Sequence, residues 1–274
     1  MISGKYLLER DEDIISFYKK RFSKIVIPLL FWGILYSVFT YFGENLRGTH
    51  VSVLKIVVLF IKGVPFMHMW YLYMLIGLYA VTPFLNKLIK KLPNRFLWVI
   101  TIIFVIFSII HAPKNGAPMN EFPFPFPFWF IDFLGYYMLG HLLTKIKQVS
   151  NPILVVIGFI SWGVNFYAIL RGFPDDVNAY FYGYGSLFVA IGSISFYKFF
   201  LQLNLKKNWF SYVAAYSFGI YLIHPLILVS MRQMYKPVIV NVYLSVPIFF
   251  VVAFIGSLLI TIAISKIKYL KSII

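Results

Sequence analysis

Three histidines and one aspartate lie in or against long apolar runs of this chain: His68 in PFMHMWYLYMLIGLY, His224 in SFGIYLIHPLIL, His141 in FLGYYMLGHLL and Asp132 in FWFIDFLGYY. Ionisable side chains in such surroundings are expensive and are functional candidates for that reason. An imidazole with an ordinary pKa of about 6.5 can take up a proton near neutral pH, so His68 and His224 are candidate bases. Each residue also has a plainer reading. Pro225 lacks an N–H and frees a carbonyl one turn back, so His224 could serve the local backbone. His68 could be an interfacial group, Asp132 a partner for a buried Tyr or His, and His141 a positive group at a span end. The basic tract Lys19, Lys20, Arg21 and Lys24 reads first as a stop-transfer anchor.

Several chemistries are excluded. There is no cysteine, which removes thiolate catalysis, disulfides and cysteine-ligated metals. No Gly-rich phosphate loop or Gly-x-Ser-x-Gly elbow is present, no two histidines have metal-ligand spacing, and the His-x4-Asp signature of soluble glycerolipid acyltransferases is missing. No metal site is expected.

The elements that must position these residues are membrane helices. Of the 274 residues, 61% are hydrophobic and 12% charged, against about 45–50% and about 25% in a soluble domain. Mean hydropathy is +0.82. The expected fold is all-α, a polytopic membrane bundle of eight spans at 25–42, 70–87, 96–111, 127–144, 153–170, 180–201, 213–231 and 243–265, each near the length a bilayer requires. Lys55 and Lys62, seven apart, share one helical face, so 51–66 reads as a helix lying on the membrane. A cytoplasmic N-terminus puts 18 of the 25 Lys and Arg on inner segments and 7 on outer ones, which predicts both termini inside. This sorting also accounts for most of the net charge of +16, without nucleic acid as a partner. Pro123, Pro125 and Pro127 forbid a regular helix in the outer loop 112–126. That loop is read as aromatic seating for the next span or as a lid. A single domain is expected over 1–274, with 1–24 as a cytoplasmic stub and basic segment, 25–265 as the bundle and 266–274 as a cytoplasmic tail.

Several stretches in order, ISGKYLL, FYKKRFSKIVIPLLFW, HMWYLYMLIGLYAVTPFL, FLGYYMLGHLL and AYSFGIYLIHPLIL, resemble the membrane acyltransferase-3 family over nearly the whole chain. The family consists of bacterial integral-membrane O-acyltransferases that modify cell-surface sugars. The resemblance implies a multi-pass protein of the bacterial cytoplasmic membrane with acyl-coenzyme A (acetyl-coenzyme A) as donor substrate, no bound cofactor, and a sugar or lipid-linked glycan as acceptor. The Arg-x-x-Arg motif appears here as Arg21-Phe22-Ser23-Lys24. Lys lacks the bidentate fork of Arg. Lys20, Arg21 and Lys24 are the implied acyl-coenzyme A contacts. Trp70, Tyr71, Asp132 and Tyr221 are the implied acceptor path, and His68 and His224 the implied catalytic candidates, with the larger effect expected at His68 beside Trp70 and Tyr71.

The family's principal histidine lies on a span before the Ile-Ser-Gly element, where Met1 falls here. The expectation is therefore an N-terminally truncated domain, inactive as it stands if that histidine is needed. The implied activity is O-acylation of a cell-surface or lipid-linked sugar, O-acetylation first. The alternatives are a flippase or transporter for a lipid-linked glycan, and an inactive remnant or accessory subunit.

Overall fold

The computed structural model describes residues 1–111, 128–172, 180–181, 183–204, 206, 208–234 and 242–274. Among these, eleven α-helices follow one another: α1 Ile2–Leu7, α2 Ile14–Leu46, α3 Val53–Ile61, α4 Trp70–Lys91, α5 Asn94–His111, α6 Ile131–Lys145, α7 Asn151–Leu170, α8 Leu187–Gln202, α9 Trp209–Ala214, α10 Ser217–Met234 and α11 Val242–Lys266. Short 3-10 turns occupy Phe128–Phe130 and Lys271–Ile273. No strand occurs among the described residues, so the all-α expectation holds. The loop 112–126 lies outside them.

Among the described residues, five helices are long and apolar enough to cross a membrane: α2, α4, α5, α7 and α11. The helices nearest the other three expected spans are shorter or less apolar. α6 has 15 residues and α8 has 16, and the described part of α10, Ser217–Arg232, ranks with α8 as a shorter apolar helix. At 1.5 Å per residue, α6 is about 22 Å long, less than a hydrocarbon core of about 30 Å. It can be short because it is wrapped by protein. Leu134, Tyr137, Met138, Leu139, Leu142 and Leu143 are all buried. α5, α7 and α11 instead expose rows of Ile, Val and Phe, the lipid-facing pattern. The expected span 213–231 is broken at Ala215–Tyr216, which separates α9 from α10.

α2 starts eleven residues before the expected span. Asp13 caps it by accepting from the Ser16 amide at 3.0 Å, and no breaker interrupts the basic segment behind it. The expected surface helix is α3, capped by Ser52. Only Ile56 of α3 is buried, as suits a helix lying along the bundle rather than through it.

α7 packs on α8, α5 on α6, α10 on α11, and α2 on both α3 and α4. The short α1 crosses α6 at very close range. A Cβ on Gly4 would fall on the Tyr137 carbonyl, and a Cβ on Gly140 on the Met1 carbonyl. Only paired glycines permit this backbone contact.

Candidate functional site

The chain just before α4 and the middle of α10 bring His68 and His224 together, with ring centroids 5.9 Å apart. Neither residue predicts this locally, because they are far apart in sequence. α2 supplies a wall beside them. The Tyr36 ring meets His68 edge-on at 5.0 Å and stacks on Phe66 at 4.5 Å. Tyr36 is fully buried and donates its hydroxyl to the Leu222 carbonyl at 2.7 Å. Tyr221 contacts His68 at 5.1 Å and donates to the His68 carbonyl. Two tyrosine hydroxyls thus tie the His68 turn and the His224 helix to one aromatic block.

The two imidazoles differ. His224 Nδ1 lies 3.1 Å from the Ile220 carbonyl. A carbonyl only accepts, so this contact is a hydrogen bond when Nδ1 carries the proton, which leaves Nε2 with its lone pair. His224 is therefore oriented as a proton acceptor through Nε2. Both ring nitrogens of His68 are buried and have no hydrogen-bond partner among the described residues. Buried polar atoms are paired in the great majority of cases, so a pair of orphans next to an oriented base marks a place where a polar group can dock.

The remaining acceptor-path residues divide. Tyr71 joins the cluster, 5.5 Å from Tyr221. Trp70 turns toward Phe133 of α6 and Tyr184, at 5.5 and 5.4 Å. Asp132 is buried, its Oδ1 has no hydrogen-bond partner among the described residues, and His111 at the end of α5 is an electrostatic neighbour. None of its described contacts reaches the histidine pair.

The basic tract divides as well, against the expectation of one anion-binding patch. Lys20 pairs with Glu12 at 2.7 Å, and Arg21 stands 3.8 Å from the same carboxylate. Lys24 lines a different cavity, between α2, α10, α11 and the terminal turn, together with Lys271. Glu12 stands beside two of the three cations and draws its carboxyl group below the ordinary value, chiefly through the Lys20 hydrogen bond. Further pairs brace this end of the bundle. Asp11 meets Lys90 at 2.7 Å, and Glu9 lies between Lys145 at 3.1 Å and His141 at 3.5 Å. His141 thus belongs to a polar clamp at the α1–α6 crossing. Glu9 has a positive φ of 66°. Asn86 holds that turn by accepting from the Glu9 amide at 2.8 Å and donating to the Leu7 carbonyl at 3.2 Å.

The sequence reading missed Tyr36 and Glu12. The signal for Glu12 was its place beside the cations. Tyr36 gave none, since one tyrosine among 20 is indistinguishable until α10 is packed against it. Among the described residues, no cluster of three or more metal-ligating side chains occurs.

No curated protein and no solved structure matches this chain. The sequence model of a family described as "Acyltransferase domain", acyltransferase-3, matches residues 1–266. The resemblance first visible in the ordered motifs thus extends over nearly the whole chain, and the chain belongs to the acyltransferase-3 family.

Proposed function

We propose that this protein is a membrane O-acyltransferase in which His224 is the general base, His68 and the surrounding tyrosines bind the acceptor, and acyl-coenzyme A is the donor. The acceptor is a hydroxyl of a cell-surface or lipid-linked sugar, acetyl is the acyl group, and the cytoplasmic membrane of a bacterium is the location. The observation that carries this reading is the oriented His224 ring, with Nδ1 against the Ile220 carbonyl, 5.9 Å from a second imidazole whose ring nitrogens have no hydrogen-bond partner among the described residues.

The step is acyl transfer. His224 Nε2 takes the proton from the acceptor hydroxyl as its oxygen attacks the thioester carbonyl. The new C–O bond forms, the C–S bond breaks, and the imidazolium returns its proton to the departing thiolate. His68 donates or accepts one hydrogen bond at the acceptor and fixes its position. Arg21 and Tyr36, which packs against His68, are 15 residues apart on α2, about 22 Å along the helix, which suits a donor and an acceptor that approach from different ends. Both termini on the cytoplasmic face and eight crossings complete the proposed topology.

The test is turnover with acetyl-coenzyme A and a sugar acceptor in membranes normalised for folded protein. His224→Gln keeps a polar side chain of similar reach but removes the base. It should lower turnover by about 10²–10⁴-fold, the usual value of general-base catalysis, while leaving donor binding within about twofold. His68→Gln should raise the acceptor KM more than it lowers kcat. Unchanged turnover in both variants would return the pair to a packing role, whereas no turnover and no donor binding by the wild-type chain would favour a glycan carrier that uses the same polar lining.

A further inference from the structure

Lys198 is a lysine near the end of a helix, yet it is only 6% exposed. Its Nζ donates to two carbonyls at the C-terminus of α6, Ile146 at 2.9 Å and Leu143 at 3.2 Å. An ammonium has three protons, so one remains. Lys198 lines a small cavity of about 290 Å³ that it shares with Lys5, Thr144, Gln148 and Gln202. No acidic residue lines this cavity, and neither lysine makes an ion pair among the described residues. The contrast with the neighbouring cations is direct. Lys20, Arg21, Lys90 and Lys145 each have a carboxylate within 4 Å, and the Lys5–Lys198 pair has none.

This cavity shares Lys5 and Leu201 with a larger one of about 680 Å³. The larger cavity is a corridor between α1 and α8, walled by Tyr6, Phe196, Tyr197, Phe200 and Trp162, and Tyr71 also lines it. From Leu201 back to Ser193 the corridor follows α8 for about 12 Å at 1.5 Å per residue. Tyr71 stands one ring contact from Tyr221, which touches His68. The cavity beside Lys5 and Lys198, the aromatic cavity along α8 and the histidine pair thus follow one another through shared lining and ring contacts.

We propose that the Lys5–Lys198 cavity seats the phosphates of the donor, and that the corridor holds its neutral arm with the thioester end directed toward Tyr71. The ligand chemistry is a phosphate ester on a long, thin, uncharged chain. The two ammonium groups meet the phosphate oxygens in charge-assisted hydrogen bonds, and the ring-lined walls cover the arm. This inference rests on the donor reading above but moves the phosphate site away from the tract 20–24, where Glu12 already meets Lys20 and Arg21.

The experiment is equilibrium binding of coenzyme A to the full chain in nanodiscs of zwitterionic lipid. Lys5→Gln should weaken binding about fivefold and Lys198→Met about tenfold or more, as expected for losing hydrogen bonds between charged groups. Lys147→Gln removes a nearby charge outside the cavity and should change binding less than twofold. Lys198→Met also removes two carbonyl caps and could unfold α6, so Lys5→Gln, at an exposed position, carries the test independently. Wild-type affinity in Lys5→Gln and Lys198→Met, with a loss in Arg21→Gln, would overturn the site and leave the acyltransferase reading standing. Failure of the wild-type chain to bind coenzyme A would overturn the site and the donor reading together.

Discussion

The two ends of this bundle hold their polar groups by opposite means. At the basic end, carboxylates and ammonium groups meet at the surface. Asp11 joins Lys90, Glu12 joins Lys20, and Glu9 lies between His141 and Lys145. At the histidine pair no ion pair occurs among the described residues. Tyr36 and Tyr221 fix the geometry by donating to backbone carbonyls, and aromatic edges fill the rest. Exposed ion pairs are worth about 0–1 kcal/mol each, and they can exchange partners when a charged ligand arrives. A buried hydroxyl–carbonyl bond has no alternative partner once water is excluded, so it preserves one arrangement. The end proposed to admit a polyanion is thus held loosely, and the end proposed to do chemistry is held by bonds that cannot be traded.

The largest effect on this contrast should come from the backbone contact beneath the basic end. Gly140→Leu places side-chain atoms on the Met1 carbonyl, and neither backbone can yield without separating α1 from α6. Overpacking of this kind costs about 1–3 kcal/mol or more. Thermal unfolding in detergent should show a clear loss of stability, with less protein recovered. Gly163→Ala, on the lipid-facing α7 with nothing within 4 Å of the new methyl, should be neutral or slightly stabilising. Equal loss at both glycines would mean that the crossing is not specific.

Tyr36→Phe is the next in size. It removes the hydroxyl bond to Leu222 but keeps the ring that packs against Phe66 and His68. Stability should fall by about 1 kcal/mol. Turnover should fall further than that loss explains, because α10 and His224 lose their tie to α2. A variant that is destabilised but fully active per folded molecule would show that the tyrosine only packs.

The smallest effect concerns acid. Hydrogen bonds from Lys90 and Lys20 lower the carboxyl groups of Asp11 and Glu12 below their ordinary values of 3.8 and 4.5. A depressed folded-state value adds stability above the ordinary value, and that contribution disappears as pH falls through the depressed one. Carboxyl ¹³C titration should place both midpoints below those ordinary values, and Lys90→Gln should return Asp11 to its own.

Much of the architecture was legible in the apolar runs, because a lipid-facing helix must be apolar over its whole length. The expected 153–170 is observed as Asn151–Leu170, 96–111 as Asn94–His111, and 243–265 as Val242–Lys266. Helices that face protein read less well. α6 is buried and short, and the 213–231 run conceals the break at Ala215–Tyr216. At the candidate site, His68 and His224 were visible as residue types in costly places. Their pairing was not, since it depends on α2 bringing Tyr36 between two distant segments. The basic tract read as one patch because sequence shows charge without direction. Glu12 and the cavity beyond Lys24 supply the direction.

The Trp32 indole N–H donates to the Ile273 carbonyl at 2.7 Å, a buried bond between positions 241 residues apart. Ribosomes add roughly 5–20 residues per second, so α2 waits on the order of 10–50 s for the partner that completes its interior face. During that interval Trp32 and Tyr36 face lipid, the insertion machinery or one another. A long helix made early is therefore among the last to finish folding, and early termination of synthesis would leave it with its polar and aromatic face uncovered.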